Sequence, residues 1–168
     1  MTFESQHSQN KNKNRNKMKV FLTTHDSAAT HRAAFHHIAV PLVEHPRGWK
    51  DLDVVADVRD ADSVVMLTPG DVLAEKFPQF ADERLSVCNM NTREVWINED
   101  RWLRNIPDKS QLPLPAYRAY VLQHELGHAL GFGHANTGPG PTPVMVQQTL
   151  GLGAGTPNPF PTEEERNR

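Results

Sequence analysis

The sequence predicts an α+β fold: a small, mixed, twisted sheet with two main helices and an irregular C-terminal region. Three observations lead there. A length of 168 residues suits one domain with a single core. Strand-like and helix-like segments alternate early, and a second long helix follows the strands. Thirteen prolines and ten glycines imply many turns, and the chain beyond His134 is rich in both.

Taken in order, "KVFLTTH" (Lys19–His25) has strand character and ends in polar residues that can lead into a helix, with Asp26 or Ser27 as its cap. From Ala28 to Glu44 the apolar positions Ala28, Phe35, Ile38, Ala39, Leu42 and Val43 recur at near-helical spacing. Pro41 should kink or shorten this helix, and Pro46-Arg47-Gly48 should close it. "LDVVADV" (Leu52–Val58) and "SVVMLT" (Ser63–Thr68) read as short strands. "PGDVLAEKFPQF" reads as a short helix or structured loop. "RLSVCNM" (Arg84–Met90) and "REVWINE" (Arg93–Glu99) follow as a pair joined tightly at Asn91-Thr92. In the second, Val95 and Ile97 share one face, and Trp96 and Asn98 the other. The second long helix starts near Pro115 and buries Tyr117, Tyr120, Val121, Leu122, Leu126 and Leu130.

The net charge of −2 divides unevenly, because residues 1–19 carry +4 and the rest −6. "KNKNRNKMK" alternates cations with asparagine and has no apolar face, so residues 1–18 are expected to be a disordered basic tail. A nucleic-acid contact through that tail is the lesser reading, since such charge runs are usually just solvated. The folded domain is expected over residues 19–160, with residues 161–168, ending "TEEERNR", a solvated tail. Cys88 is the one cysteine, so the sequence offers neither a disulfide within the chain nor a cysteine cluster for zinc. With no signal-peptide pattern and no run of membrane-spanning length, the expectation is a soluble, cytoplasmic monomer with no membrane contact.

The chemistry concentrates in "HELGHALGFGH" (His124–His134). His124 and His128 are four apart, hence one turn above each other on one helix face. Two neutral imidazoles so placed can reach one ion at roughly 2.0–2.1 Å. Glu125 lies about 100° round the helix, where it can hold a water beside the ion and accept its proton. Gly131 can take the left-handed conformation, end the helix and turn the chain so that His134 returns as third ligand. Three histidines leave a fourth position open, which is the catalytic arrangement of zinc. A histidine-rich helix end with no role is the competing reading. For independent positions, however, the whole pattern arises on the order of once in ten thousand chains.

The pattern H-E-x-x-H-x-x-G-x-x-H resembles the zinc signature of the metzincin metalloproteases. The resemblance extends to "HPRGW", the Trp-Ile-Asn strand, "AYRAYV" before the motif and "PVMVQQTLGL" after it, and is greatest to an uncharacterised bacterial family of metzincin-like domains. It covers about Lys19 to Phe160 and implies a zincin-like fold in a zinc metalloendopeptidase. His124, His128 and His134 would bind Zn2+, Glu125 would be general base and then proton donor, and Met145 would form the methionine turn beneath the metal. A peptide or protein substrate would pair with an exposed sheet edge, "RLSVCNM" or its neighbour. Two departures stand out. Gln147 occupies a position where some metzincins carry tyrosine, and the cysteines that flank the turn in secreted relatives are missing.

Two other functions share these residues: a zinc-binding module without proteolytic turnover, and a zinc amidohydrolase acting on a non-protein substrate. The intact Glu125 speaks against the first, since a binding module needs no base. Cys88 reads as a small packed residue, and His36, His37 and His45 as surface or helix-end groups. Asp51, Asp53, Asp57, Asp60 and Asp62 lack the glycine and spacing of a calcium loop. Trp49, Trp96 and Trp102 read as packing residues, with Trp96 a candidate for the cleft if its strand lies at the edge.

Overall fold

The structure, a computed structural model, describes residues 17–104 and 109–168. The expected basic tail therefore lies almost wholly outside the described residues. Met18 already belongs to the fold: it opens β1 (Met18–Thr24), is buried, and donates its N–H to Asp51 O at 2.8 Å.

A 3-10 turn over Asp26–His31 leads into α1 (Arg32–Val43). His25, not Asp26 or Ser27, caps the turn, its ring accepting from the Ser27 N–H. α1 runs through Pro41 and ends two residues later at Val43. Pro41 sits in the last turn on an exposed face, so the bond it withholds from His37 O is the last-but-two of the helix. β2 (Leu52–Val54) is shorter than "LDVVADV" suggests, because Asp57 caps a 3-10 turn at Val58–Asp60. β3 (Ser63–Thr68), α2 (Gly70–Lys76), a 3-10 turn at Pro78–Phe80, β4 (Val87–Asn89) and β5 (Glu94–Asn98) follow. Next come α3 (Glu99–Arg104) and α4 (Leu114–Ala129), then a turn-rich region holding the two-residue strands β6 (Gly140–Pro141) and β7 (Gly155–Thr156).

The sheet order is β2-β1-β3-β5-β4. Four strands run parallel, and only β4 is antiparallel, pairing Cys88 with Val95 in a hairpin with β5. The sheet is thus mixed, and with five α-helices among the described residues the architecture is α+β. α1 packs on β1 and β2, α4 packs on β4 and β5, and the two helices touch, so both cover one face. Val20, Leu22, Val65, Leu67, Val95 and Ile97 form that face and meet Phe35, Ala39, Leu122 and Leu126 in one core. The opposite face is half-buried at Phe21, Val64 and Met66. Trp96 is covered there by Phe77, ring centroids 5.0 Å apart, so it packs away from α4 and does not line the cleft.

The C-terminal end corrects the expectation of a solvated tail. Residues Glu163–Arg166 form α5, opened by a capping box between Thr162 and Glu165. Glu165 is buried, and Phe160 stacks on His45 at 4.3 Å beneath the Arg47 guanidinium. Among the described residues no helix is long and apolar enough to cross a membrane.

Candidate metal centre

α4 brings the motif to the open edge of the sheet. His124 and Glu125 are buried, His128 is half-buried and His134 is exposed, so the cluster opens to solvent on its third histidine. One ring nitrogen from each histidine lies within 4.8 Å of the other two, and His128 Nε2 and His134 Nε2 are 3.1 Å apart. A tetrahedral ion bound at 2.0–2.1 Å holds neighbouring nitrogens about 3.3 Å apart, so the triad needs only a small adjustment to close on one.

The backbone fixes which nitrogen faces the centre. His124 Nδ1 is 2.7 Å from Val144 O, and His128 Nδ1 is 2.8 Å from Phe132 O. A carbonyl oxygen only accepts, so each Nδ1 carries the hydrogen and each Nε2 keeps its lone pair. Burial, the neighbouring His128 and His134 add to one another at His124 and hold its pKa down to about 3. Burial likewise lowers His128 and His134, so all three rings favour the neutral form that ligates metal. Burial pushes Glu125 the other way, up to about 8.

The return of His134 depends on a two-bond helix stop. Phe132 N donates to Gly127 O and Gly131 N to His128 O, both at 2.9 Å, with Gly131 at φ +98°. This is the Schellman pattern, which an L side chain at Gly131 would strain. Phe132, the residue after the stop, stacks on Trp49 at 4.7 Å. Trp49 is itself tied to α4: its indole donates to Gln123 O at 2.6 Å and its backbone N–H to Gln123 Oε1 at 3.1 Å. The "HPRGW" segment thus braces the ligand helix one residue before His124.

Met145 is 2% exposed, and its Sδ lies against α4 at Gly127. A Cβ added at Gly127 would collide with Met145 Sδ and with the Trp49 ring, so the glycine inside "HELGH" is what lets the sulfur approach the helix. The segment around Met145 is hydrogen-bonded on every side. Val144 O takes the His124 ring N–H, Met145 O takes the Ala135 N–H at 3.0 Å, and Tyr120 Oη donates to Val146 O at 3.0 Å. The N–H groups of Val144 and Met145 both donate to the Glu165 carboxylate at 3.0 Å. Glu165 and Gly127 went unread in the sequence. "TEEE" did carry a signal for the first, being a Thr-x-x-Glu helix start.

A cleft of about 250 Å3 joins the triad to β4 and is lined by Phe80, Leu85, Cys88, Met90, Glu125 and Gln147 among others. Cys88, half-buried and packed against the core, also borders this cleft. Burial, then the charge of Glu125, push the Cys88 thiol up to about 12, so it stays protonated and is neither a nucleophile nor a ready ligand. A larger hollow of about 350 Å3, bordered by Lys17, Glu44, Lys50, Asp53 and Arg166, lies apart from the triad and mixes both charge signs. The acidic residues 51–62 form no metal cluster among the described residues, where the only one is the triad.

Together the donor set can hold a divalent cation, with a buried carboxyl group beside it and an open cleft in front. Searches against curated proteins and against solved structures give no match. One family profile does match, that of DUF3152, described as a protein of unknown function, and it aligns with residues 4–164. Nearly the whole chain is covered, histidine triad included, and the protein belongs to the DUF3152 family.

Proposed function

We propose that the protein is a zinc metalloendopeptidase of metzincin type, hydrolysing internal peptide bonds. The observation that carries this reading is the convergence of three neutral-favouring imidazoles beside Glu125 at the mouth of a cleft bordered by an edge strand. His124, His128 and His134 would hold the ion. A divalent cation there supplies a Lewis acid that polarises a carbonyl and acidifies water.

The chain's own groups do the rest. Glu125 takes the proton of the attacking water on a carboxylate oxygen and delivers it to the departing amine nitrogen. Burial raises its proton affinity, which suits a group that must first accept and then hold that proton. β4 is the last strand of the sheet, so its outer backbone edge is available to an extended peptide. Gln147 lines the same cleft where some metzincins place a tyrosine, and its side-chain amide can donate to a developing oxyanion.

The test combines metal analysis of the purified protein with proteolysis of a diverse peptide library. The expected result is about one zinc per chain, cleavage by the wild type, and loss of cleavage by a factor of at least about a hundred in Glu125→Gln with zinc retained. Zinc-loaded wild type that cleaves nothing in the library would overturn the peptidase reading and leave the non-proteolytic metal module or the non-protein amide hydrolase.

A further inference from the structure

We infer that a second hollow, walled by Trp49, Phe132 and Arg166, binds a small carboxylate carrying an apolar group, with Arg166 and Lys50 as its cationic partners. No residue of the histidine triad or of its cleft lines this hollow, so the inference does not rest on the metallopeptidase reading.

The hollow measures about 290 Å3, at the lower end of the range of ligand pockets, which suits a small molecule. It shares Trp49, Lys50, Asp51 and Arg166 with the larger mixed-charge hollow beside it. Its apolar side is Leu130 and Phe132, both half-buried, with the Phe132 ring stacked on Trp49 at an interplanar angle of 11°. Both aromatic residues are fixed before anything binds. Gln123 holds Trp49 through two hydrogen bonds, and Phe132 O accepts the His128 ring N–H. A rigid wall of this kind favours an aryl or alkyl group that leaves water to cover it.

Charge supplies the other half of the specificity. Arg166 donates one Nη to Pro46 O at 2.7 Å, while its Nε–H is buried and meets no acceptor. A buried donor without an acceptor costs about 1–3 kcal/mol, and more when it is charged, so an anionic oxygen is the partner that it lacks. Lys50 donates to Asn167 Oδ1 at 2.7 Å, and among the described residues neither it nor Arg166 pairs with a carboxylate. Arg168, the third cation of the wall, is spent on Glu164.

The wall has two carboxylates of its own, Asp51 and Glu165. Glu165 already accepts from the N–H groups of Val144, Met145 and Thr162. Asp51 is thus set against two cations, and the balance favours an anion. The planar guanidinium fork matches a carboxylate, and the apolar wall excludes a bare inorganic anion as the best fit.

The probes are phenylacetate, a free acid, and N-acetylphenylalanine, which presents the end of a peptide. Phenethylamine and N-acetylphenylalanine amide replace the carboxylate, whereas acetate and inorganic phosphate lack the apolar group. Calorimetry on the full chain, zinc-loaded and metal-free, reads the binding of each. At least one of the two apolar carboxylates is expected to bind in both metal states, about 10-fold or more tighter than all four controls. Tighter binding of phenylacetate supports the site as one for free acids, and tighter binding of N-acetylphenylalanine as one for peptide C-termini. Arg166→Gln, and separately Lys50→Met, should weaken that binding about 10-fold or more. Arg104→Gln on α3, which borders neither hollow, should leave it unchanged. Should Arg166→Gln fail to fold, Lys50→Met decides. The site is overturned if neither carboxylate binds, if the amine or the amide binds as well, if phosphate binds tighter, or if the folded variants bind as the wild type does. Binding that persists in a protein unable to cleave the peptide library would leave this inference standing while the metallopeptidase reading falls.

Discussion

Glu165 and Met145 lie twenty residues apart and are joined directly, the Met145 N–H donating to Glu165 Oε1 at 3.0 Å while Val144 donates to Oε2. The carbonyls of the same dipeptide receive the His124 ring and the Ala135 N–H, next to His134. One buried carboxylate on α5 therefore sets the dipeptide that orients His124 and anchors the chain after His134. Glu165→Ala leaves two buried N–H groups unpaired and should cost about 2–4 kcal/mol, with zinc affinity falling about 10-fold or more. Glu165→Gln keeps one acceptor oxygen and should fall between. Chelator competition and thermal unfolding measure both, and a folded Glu165→Ala with wild-type zinc affinity would refute the coupling.

Two glycines of the motif should fail in different ways. Gly127→Ala places a methyl group against Met145 Sδ and Trp49, so the cost is overpacking, about 1–3 kcal/mol. Gly131→Ala meets no atom within 4 Å, so its cost is the backbone conformation alone, about 1–2 kcal/mol. Asparagine should recover part of the stability at 131 and none at 127. Equal rescue at both positions in unfolding experiments would remove the distinction.

Removing a ligand should hurt the fold only at one end of the triad. His124 is buried, and its loss strands Val144 O and opens a cavity, so His124→Ala should lose zinc and about 2–4 kcal/mol of metal-free stability. His134 is exposed, and His134→Ala should lose tight zinc binding with metal-free stability within about 0.5 kcal/mol of wild type. Metal content and unfolding of each variant with and without a chelator give the comparison.

Metal-free stability should depend on pH through Glu125. Its folded pKa, about 8, lies above the ordinary 4.5, so the folded state holds a proton that the unfolded chain releases. Any stability this group offers is present below 4.5 and is lost as pH rises toward 8, by a few kcal/mol. His124 acts oppositely, its lowered pKa removing stability as pH falls below 6.5. Glu125→Gln should flatten the loss on the alkaline side and leave the acidic loss in place. A melting temperature of the metal-free wild type that climbs steadily from pH 5 to 8 would count against the buried carboxyl, within about a unit of these limits.

Features that depend on near neighbours in the chain were the readable ones. The histidine spacing, the stop at Gly131 and the apolar stripe of α4 are set by helix periodicity and a single backbone torsion. The alternation in β5 was readable too, with Val95 and Ile97 on the α4 side and Trp96 opposite. Which face would meet the metal was not, because that depends on β4 closing the sheet edge and bringing Cys88, rather than Trp96, into the cleft. Glu165 looked solvated among three glutamates of "TEEE", and only its docking across Val144-Met145 shows it to be structural.

The bond from Ala135 N to Met145 O closes the segment between His134 and Met145 at its neck. Within that segment Val144 holds the His124 ring and β6 pairs with β7, so tolerance to change is confined to the stretch before β6. Gly138 lies in that stretch, with open space where a side chain would stand. Lengthening it there adds only the slowly growing entropy of a longer closure. The stretch before β6 is accordingly the place where a tag or a fluorescent reporter can be grafted beside the histidine triad.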